Sequence, residues 1–216
     1  EIVAGKWKEN DPHGYFACVS GTQGFFIGDF YGHILARDLI GHAQRVSVAK
    51  YCPHLPGRQI AVTNFWGHQG VIFLYDQDGR MLWEMENEMN GNIVAPVNWD
   101  GNGTELILLN ADPHRGGCID GYGTRALAFP DDGHPTLCVE AMDLTGDARD
   151  ELICWDYETM YIYTQSDNPW PQTYTPVQFP AYNASNYRGE YSFPDESYLD
   201  FHEDKAQMQK SSLRRT

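Results

Sequence analysis

The sequence predicts an all-β protein made of β-propeller blades, each with four antiparallel strands, and three observations support this prediction. A loop rich in acidic and polar oxygens runs into an apolar segment at residues 143–155, and a degenerate copy does so at residues 98–109. Further apolar runs recur at a regular spacing, and β-branched and aromatic residues fill them. No segment has a sustained helical period.

The repeat length follows from the positions of the apolar runs. Leu106 and Leu152 each begin such a run and lie 46 residues apart (152 − 106), and a further step of 46 leads back to Ile60. Another similar segment lies closer, since residues 25–33 resemble residues 60–68 at a spacing of 35 (60 − 25). We therefore expect Phe25, Ile60, Leu106 and Leu152 to mark the second strands of four consecutive blades.

The strands of three of these units can be placed along the chain. The first of them is expected to have strands at 46–51, 59–64, 71–75 and 81–84, the second at 93–97, 105–110, 118–122 and 125–129, and the third at 136–142, 151–155 and 160–163. The interpretation assigns residues 1–195 to about four blades, including a strap from about residue 165 that is rich in proline and tyrosine. Residues 196–216 are expected to form a polar tail.

Propellers close as rings and usually have more than four blades, so we interpret the chain as the C-terminal part of a longer propeller. The first residue is Glu1 rather than methionine, which fits this interpretation. Either upstream blades of the same polypeptide are missing from the sequence, or partner blades close the ring.

Charge and cysteines limit the partners and the compartment. The net charge of −15 and the pI near 4.7 argue against nucleic acid, although a locally basic pocket could still hold an anionic sugar. No apolar stretch approaches the ~20 residues of a membrane span. The five cysteines have no CxxC spacing. We therefore expect them to be small buried apolar side chains rather than partners in disulfide bonds. A secreted or periplasmic location is expected, with a cytoplasmic one left open.

The acidic loop predicts a structural calcium site. Oxygens at the first, third, fifth and ninth positions of residues 143–151 can surround one hard cation, and the turn between them includes Gly146. The expected ligands are Asp143, Thr145, Asp147 and Glu151. The copy at residues 98–105 has only two carboxylates, so metal is less expected there.

Histidines recur at one point of the repeat, which predicts a functional face. His33, His68 and His114 each lie eight residues after Phe25, Ile60 and Leu106 and should lie in the loops between second and third strands. Those loops emerge at the same face as the connections between blades. That face should also include His42, Arg45, Asn92, Arg115 and His134. The calcium-type loops should lie at the opposite face. Two other interpretations stay open, a turn-capping role for the histidines and a solvated loop position for Arg115.

Several segments resemble a known family, the β-propeller lyases that act on rhamnogalacturonan or on rhamnose-glucuronate polymers. The similar segments are residues 41–48, 96–99, 103–110, 143–156 and 161–165, and residues 182–188 are similar to the C-terminal signature of that family. The resemblance extends from about His33 to Pro194 and departs from the family in the absence of upstream blades. It implies a calcium-containing enzyme that acts on an acidic polysaccharide or oligosaccharide.

The chemistry implied by the resemblance is β-elimination. A uronate loses the proton beside its carboxylate while the 4-linked oxygen departs, so the site needs a base and a group that neutralises the carboxylate. His33, His68 and His114 are the candidate bases or acids, and Arg45 and Arg115 the candidate neutralising groups. We expect His42, Asn92, Tyr122 and His134 to bind substrate. The alternative is a non-catalytic propeller that binds glycans or a protein partner.

Overall fold

The computed structural model describes residues 1–65, 70–89, 91–147 and 149–166. Fifteen strands in this part of the chain form four antiparallel sheets, and no helix occurs among these residues. The described residues accordingly include no helix that could cross a membrane. The prediction of an all-β chain is therefore confirmed for these residues.

Sheets 1 and 2 are both four-stranded meanders, with hydrogen-bonded order β1-β2-β3-β4 and β5-β6-β7-β8. The strands of sheet 1 are β1 (Ile2–Gly5), β2 (Tyr15–Ser20), β3 (Gly24–Asp29) and β4 (Ile34–Asp38). Those of sheet 2 are β5 (Ala43–Ala49), β6 (Gln59–Asn64), β7 (Val71–Tyr75) and β8 (Met81–Glu86).

Sheets 3 and 4 repeat the same connectivity, with order β9-β10-β11-β12 and β13-β14-β15. Sheet 3 consists of β9 (Ala95–Val97), β10 (Leu106–Leu108), β11 (Cys118–Ile119) and β12 (Arg125–Leu127). Sheet 4 consists of β13 (Cys138–Met142), β14 (Glu151–Trp155) and β15 (Met160–Tyr163). Ile60, Leu106 and Leu152 all lie in second strands, so their predicted equivalence is confirmed.

The predicted equivalence of Phe25 with Ile60 is wrong. Phe25 lies in β3, the third strand of sheet 1, whereas the second strand is β2. The correct register is visible in the turns between third and fourth strands, which share the pattern Asp-x-x-Gly at Asp29, Asp76 and Asp120. Each of these carboxylates accepts hydrogen bonds from the backbone N–H groups two and four residues later. The similarity of residues 25–33 to residues 60–68 is therefore a coincidence between non-equivalent strands.

Apolar side chains between neighbouring sheets form three consecutive cores. Phe25 and Val62 belong to the core between sheets 1 and 2, Ile72 and Ile107 to that between sheets 2 and 3, and Leu152 to that between sheets 3 and 4. Each such side chain contributes about 1.5–3 kcal/mol through burial. The strand β5 packs against β1 and β2, and β9 packs against both β5 and β13. First strands of successive sheets are therefore neighbours.

The meander separates two ends of each sheet. We use the name latch end for the end with the connections from first to second and from third to fourth strands. We use loop end for the end with the connections from second to third strands and from one sheet to the next. The predicted calcium loops, at residues 98–105 and 143–150, do lie at the latch end. The predicted strap and tail beyond residue 166 lie outside the described residues.

Equivalent backbone hydrogen bonds join successive sheets at the latch end. The backbone N–H just before each second strand donates to a carbonyl just after the first strand of the preceding sheet, from Arg58 to Trp7 (2.9 Å), from Glu105 to Lys50 (3.0 Å) and from Asp150 to Asn98 (3.1 Å). At two of these junctions the same residue's carboxylate accepts a hydrogen bond in return, Glu105 from the Lys50 N–H and Asp150 from the Asn98 N–H, both at 2.8 Å. We call these two paired contacts the carboxylate latches.

Candidate functional site

The β10–β11 loop at the loop end presents His114 and Arg115 as consecutive exposed residues. The Asp112 carboxylate accepts hydrogen bonds from the backbone N–H groups of both residues at 2.8 Å. These two hydrogen bonds lower the pKa of Asp112, although burial by itself would raise it. The loop backbone is thus held internally while both side chains remain available to a ligand.

Two glycines allow the β10–β11 loop to pack closely against neighbouring backbone carbonyl groups. A Cβ atom on Gly116 would lie 2.2 Å from the Asn110 carbonyl oxygen, and one on Gly117 would lie 2.2 Å from that of Leu127. Gly117 also has a φ of +80°, a conformation that favours glycine. Arg125 donates from Nη1 to the His114 carbonyl oxygen at 2.9 Å. The local sequence therefore fixes where His114 and Arg115 lie.

Arg115 has an acidic neighbour on the β8–β9 connection. Its Nη2 lies 3.0 Å from Glu88 Oε2, and both side chains are at least half exposed. An exposed ion pair of this kind contributes about 0–1 kcal/mol, so a uronate carboxylate can compete for the guanidinium. Glu88 has a φ of 52°, a left-handed conformation in which a non-glycine residue stores strain.

Asn92, predicted to bind substrate, is instead buried within a group of amide side chains. Its Oδ1 accepts hydrogen bonds from Asn87 and Asn110, each at 2.9 Å, and its Nδ2 donates to the Met89 carbonyl oxygen at 3.2 Å. Asn87 also donates to the Arg115 carbonyl oxygen at 2.9 Å. Asn92 therefore joins the segment between β8 and β9 to the β10–β11 loop. Its amide is hydrogen-bonded within the protein and is not offered to a ligand in this arrangement.

His134, also predicted to bind substrate, is buried as well, with a side chain only 1% exposed. Its Nδ1 lies 2.9 Å from Asp132 Oδ1, and its Nε2 lies 2.7 Å from the Ala111 carbonyl oxygen. Burial by itself would lower the pKa of His134, but its hydrogen bonds to Ala111 and Asp132 raise it. His134 lies at the loop end as expected but does not face solvent.

The remaining predicted residues of the functional face are spread over sheets 1 and 2. His42 lies on the β4–β5 connection, half-buried, with Nε2 3.1 Å from Gln44 Oε1. Arg45 lies in β5, with Nη1 4.0 Å from Glu1 Oε1. His68 lies outside the described residues.

The structure places His33 and Tyr122 at the latch end, away from His114. His33 lies in the β3–β4 turn, where its Nδ1 lies 2.8 Å from Asp29 Oδ2, and Tyr122 lies in the β11–β12 turn. The expected grouping of His33 with His114 on one face is therefore wrong, because the offset of eight residues was counted from Phe25 in a third strand.

The four predicted calcium ligands do not converge on a shared centre in this arrangement. Asp147 Oδ2 is held by Arg149, and this pairing lowers the pKa of Asp147. Glu151 Oε2 accepts the Leu144 N–H at 2.7 Å, and Asp143 Oδ1 accepts the Gly146 N–H at 2.6 Å. Thr145 Oγ1 lies 3.4 Å from Glu151 Oε1. Among the residues that the structure describes, no group of three or more His, Cys, Asp or Glu side chains is arranged to hold a metal ion.

The residues that support the β10–β11 loop do not stand out in the sequence as functional residues. Asp112, Asp132 and Asn87 were not singled out, although each fixes this loop or its neighbours. A signal was present for Asp112, because an aspartate followed by proline and then by paired glycines is typical of a side-chain-capped turn. No comparable signal existed for Asn87, whose contact with the β10–β11 loop joins residues 28 positions apart.

No family model and no curated protein matches the chain. Among solved structures, the chain is similar to the crystal structure of rhamnogalacturonan lyase YesW, at 20% sequence identity and a TM-score of 0.48. The match covers 76% of this chain and 28% of the lyase, so the chain spans little more than a quarter of that protein's length.

Proposed function

We propose that the four sheets are blades of a β-propeller and that its loop end acts on an acidic glycan by β-elimination. The observation that supports this function best is the β10–β11 loop, where a fixed backbone holds an exposed imidazole and an exposed guanidinium at adjacent positions. The propeller interpretation is supported by the repeated four-stranded meanders and by the contacts between first strands of successive sheets. The segments that resemble the propeller lyases agree with both proposals.

The proposed reaction follows from these two side chains. Arg115 binds the uronate carboxylate and neutralises it, which makes the proton on the adjacent carbon more acidic. His114 in its neutral form takes that proton, and the electron pair forms a double bond to the neighbouring carbon. The bond to the 4-linked oxygen breaks, and this oxygen leaves with a proton from a second acid or from water. The products are a shortened chain and an unsaturated uronate.

The acidic surface of the chain does not oppose this proposal. Arg115 and Arg125 lie on or beside the same loop, so two positive side chains lie near His114 despite the net charge of −15. Exposed charges further than about 10 Å away are largely screened at physiological salt. Calcium at residues 143–151 stays a prediction from the sequence, and no step of the proposed reaction involves it.

A non-catalytic glycan-binding role is the second candidate, and one observation favours it. Tyr157, on the β14–β15 connection at the loop end, is 97% exposed. An exposed aromatic ring offers a flat apolar surface on which a sugar ring can stack. Asp156 fixes this connection by accepting the Glu158 and Thr159 N–H groups at 2.8 Å, so the position of the ring is constrained.

The two candidates are separated by measuring products and binding in parallel. The chain is incubated with a rhamnose-glucuronate polymer and with rhamnogalacturonan, and the ultraviolet absorbance of the unsaturated uronate is followed. Binding of the same polymers is measured by calorimetry. A rise in absorbance that is abolished in Arg115→Ala supports the lyase. Binding without any rise, weakened by Tyr157→Ala, would support the binding role and refute the lyase.

Arg115→Lys provides a sharper test of the arginine's role. Lysine keeps the positive charge but lacks the planar fork that binds a carboxylate through two hydrogen bonds. The lysine variant should recover part of the activity lost in Arg115→Ala. Arg80→Ala is the matched control, since Arg80 is exposed in the β7–β8 turn at the latch end and should be dispensable.

A further inference from the structure

His134 is a buried histidine whose two ring nitrogens both face hydrogen-bond acceptors. Nδ1 lies 2.9 Å from a carboxylate oxygen of Asp132, and Nε2 lies 2.7 Å from the carbonyl oxygen of Ala111. Neither acceptor can donate, because a backbone carbonyl has no proton and an ionised carboxylate has none either. Both contacts are therefore hydrogen bonds only if both ring nitrogens are protonated.

The neutral imidazole does not suit this environment. It has one N–H, so one nitrogen lone pair would point at an oxygen less than 3 Å away inside a buried site. Leaving such a group unsatisfied costs more than a hydrogen bond ordinarily contributes. The imidazolium, by contrast, makes two charge-assisted hydrogen bonds.

The side chains that pack around His134 include three aromatic rings. Phe129 has its ring centroid 5.2 Å away, Tyr163 lies nearly perpendicular at 5.7 Å, and Tyr161 lies at 6.4 Å. Asp132 also accepts hydrogen bonds from the Tyr163 hydroxyl, at 3.1 Å, and from the His134 backbone N–H, at 3.1 Å.

The titratable groups facing His134 are thus Asp132 on its own connection and Tyr161 and Tyr163 on β15, with Cys154 of β14 near Tyr163. Burial by itself would raise the pKa of Asp132, but the hydrogen bonds from His134 and Tyr163 lower it, so Asp132 supplies a negative charge. Burial, followed by the hydrogen bond to Asp132, raises the pKa of Tyr163. The Tyr163 hydroxyl therefore stays protonated and donates.

The contact with Ala111 gives His134 a role beyond its own connection. Ala111 lies three residues before His114 in the β10–β11 loop of sheet 3, whereas Asp132 is tied to β15 of sheet 4. We propose that His134 is a cationic positioning residue that clamps the β10–β11 loop to sheet 4, and that loss of its proton releases this loop. Its importance for His114 and Arg115 rests on the proposed function, whereas the clamp itself does not.

The direction of the pH dependence follows from the protonation of His134. A histidine stabilised as a cation in the folded state contributes fully below its ordinary pKa, and the contribution is lost as the pH rises through the folded value. The loop should therefore be closed at acidic pH and should open as the pH rises through the folded-state pKa of His134, which lies above the ordinary histidine value.

Nuclear magnetic resonance of the full chain tests the clamp directly. The ¹⁵N shifts of the His134 ring, followed against pH, are expected to remain those of an imidazolium above the ordinary histidine pKa of about 6.5. Amide hydrogen exchange in residues 111–117, corrected for the intrinsic rate at each pH, should speed up as His134 loses its proton. His134→Gln should raise exchange in this loop by about 10- to 100-fold, as expected for the loss of a charge-assisted hydrogen bond. His54→Gln, at an exposed latch-end residue, is the control and should change nothing there.

Asp132→Asn provides a second variant that keeps the size of the side chain. Removing the negative charge should move loop opening to lower pH without changing the exchange of the other loops. A His134 ring that loses its proton below the ordinary histidine pKa of about 6.5, or loop exchange that is the same in wild type and His134→Gln, would overturn the clamp. Absence of lyase activity would refute the proposed function but leave these readouts intact. If activity is present, kcat should fall with the same pH midpoint as loop opening.

Discussion

The two ends of the sheets use similar residue types in opposite ways. At the latch end, Glu105 and Asp150 are buried acids that bind the backbone of the preceding sheet. At the loop end, Asp112 binds only its own loop, and the charged side chains that follow it, His114 and Arg115, are exposed. A carboxylate therefore joins sheets at one end and shapes a ligand-accessible loop at the other.

We therefore expect the buried latch-end carboxyl groups to affect stability and the exposed loop-end side chains to affect function. Removing a latch carboxylate leaves a buried N–H group of another sheet without its acceptor, which destabilises the stack. Removing an exposed loop-end side chain leaves the backbone contacts unchanged. Variants of the buried latch-end carboxyl groups and of the exposed loop-end side chains should accordingly fall into two classes, whereas the buried His134 joins two sheets at the loop end.

The largest effect is expected at His114. If it is the general base or acid, His114→Ala should lower turnover by about 10²- to 10⁴-fold while the melting temperature stays the same. His33→Ala is the matched control, since His33 is an exposed histidine in a turn at the latch end. Turnover is measured from the unsaturated product. Equal losses of turnover in the two variants would contradict the functional distinction between the loop end and the latch end.

The next largest effect concerns Glu105, whose pKa is raised by burial to about 8 from an ordinary value of 4.5. Arg58 and the Lys50 N–H oppose this rise only in part. The folded state therefore retains a proton that the unfolded state has lost, so stability falls as the pH rises from about 4.5 to about 8. The slope can reach about 1.4 kcal/mol per pH unit.

Glu105→Gln should flatten this dependence, because glutamine has no proton to lose and its oxygen can still accept the Lys50 N–H. Urea unfolding at several pH values gives the free energy of unfolding for both proteins. The interval below the ordinary histidine pKa of about 6.5 is the informative one, since His134 does not contribute there. Parallel curves for the two proteins would mean that Glu105 is already ionised in the fold.

A smaller effect is expected at the other latch. Asp150→Ala should lower the free energy of unfolding by about 1–3 kcal/mol, because the buried Asn98 N–H loses its acceptor. Asp100→Ala removes the same charge from an exposed position at the same end and should change stability by less than about 0.5 kcal/mol. Similar losses in both variants would show that net charge, rather than the latch, determines stability.

The calcium prediction concerns a loop next to the Asp150 latch. Calcium should raise the melting temperature of the wild type above its value in chelator, and Asp147→Ala should remove this difference. The gain is expected to be modest, because Asp147 must first leave Arg149. Equal destabilisation of Asp147→Ala in both buffers would mean that hydrogen bonds alone hold residues 143–151.

The smallest effect is expected at Glu88, which competes for Arg115. Glu88→Gln should lower KM for an acidic glycan by up to about fivefold, since an exposed ion pair is worth about 1 kcal/mol or less. Glu86→Gln removes an exposed acid from the end of β8 as a control. Unchanged KM in Glu88→Gln would indicate that Arg115 does not contact the substrate carboxylate.

The amino-acid pattern alone was enough to predict the class of fold and most strand positions. Alternating and continuous apolar runs identified β6, β7, β14 and β15 with their observed bounds, because burial between sheets requires apolar residues at those points. The repeat of 46 residues correctly related Ile60, Leu106 and Leu152. It failed at Phe25, since third strands are as apolar as second strands and only the Asp-x-x-Gly turns distinguish them.

Which polar residues are exposed depends instead on contacts between distant parts of the chain. Asn92 and His134 lie at the predicted end, but partners from other connections, such as Asn110 and Ala111, bury them. Such contacts join residues 18 and 23 positions apart, which no local pattern encodes. His114 and Arg115 remain accessible because the Asp112 carboxylate accepts hydrogen bonds from their backbone N–H groups within the same loop. These partners are only two and three residues apart, so the local sequence can specify this interaction.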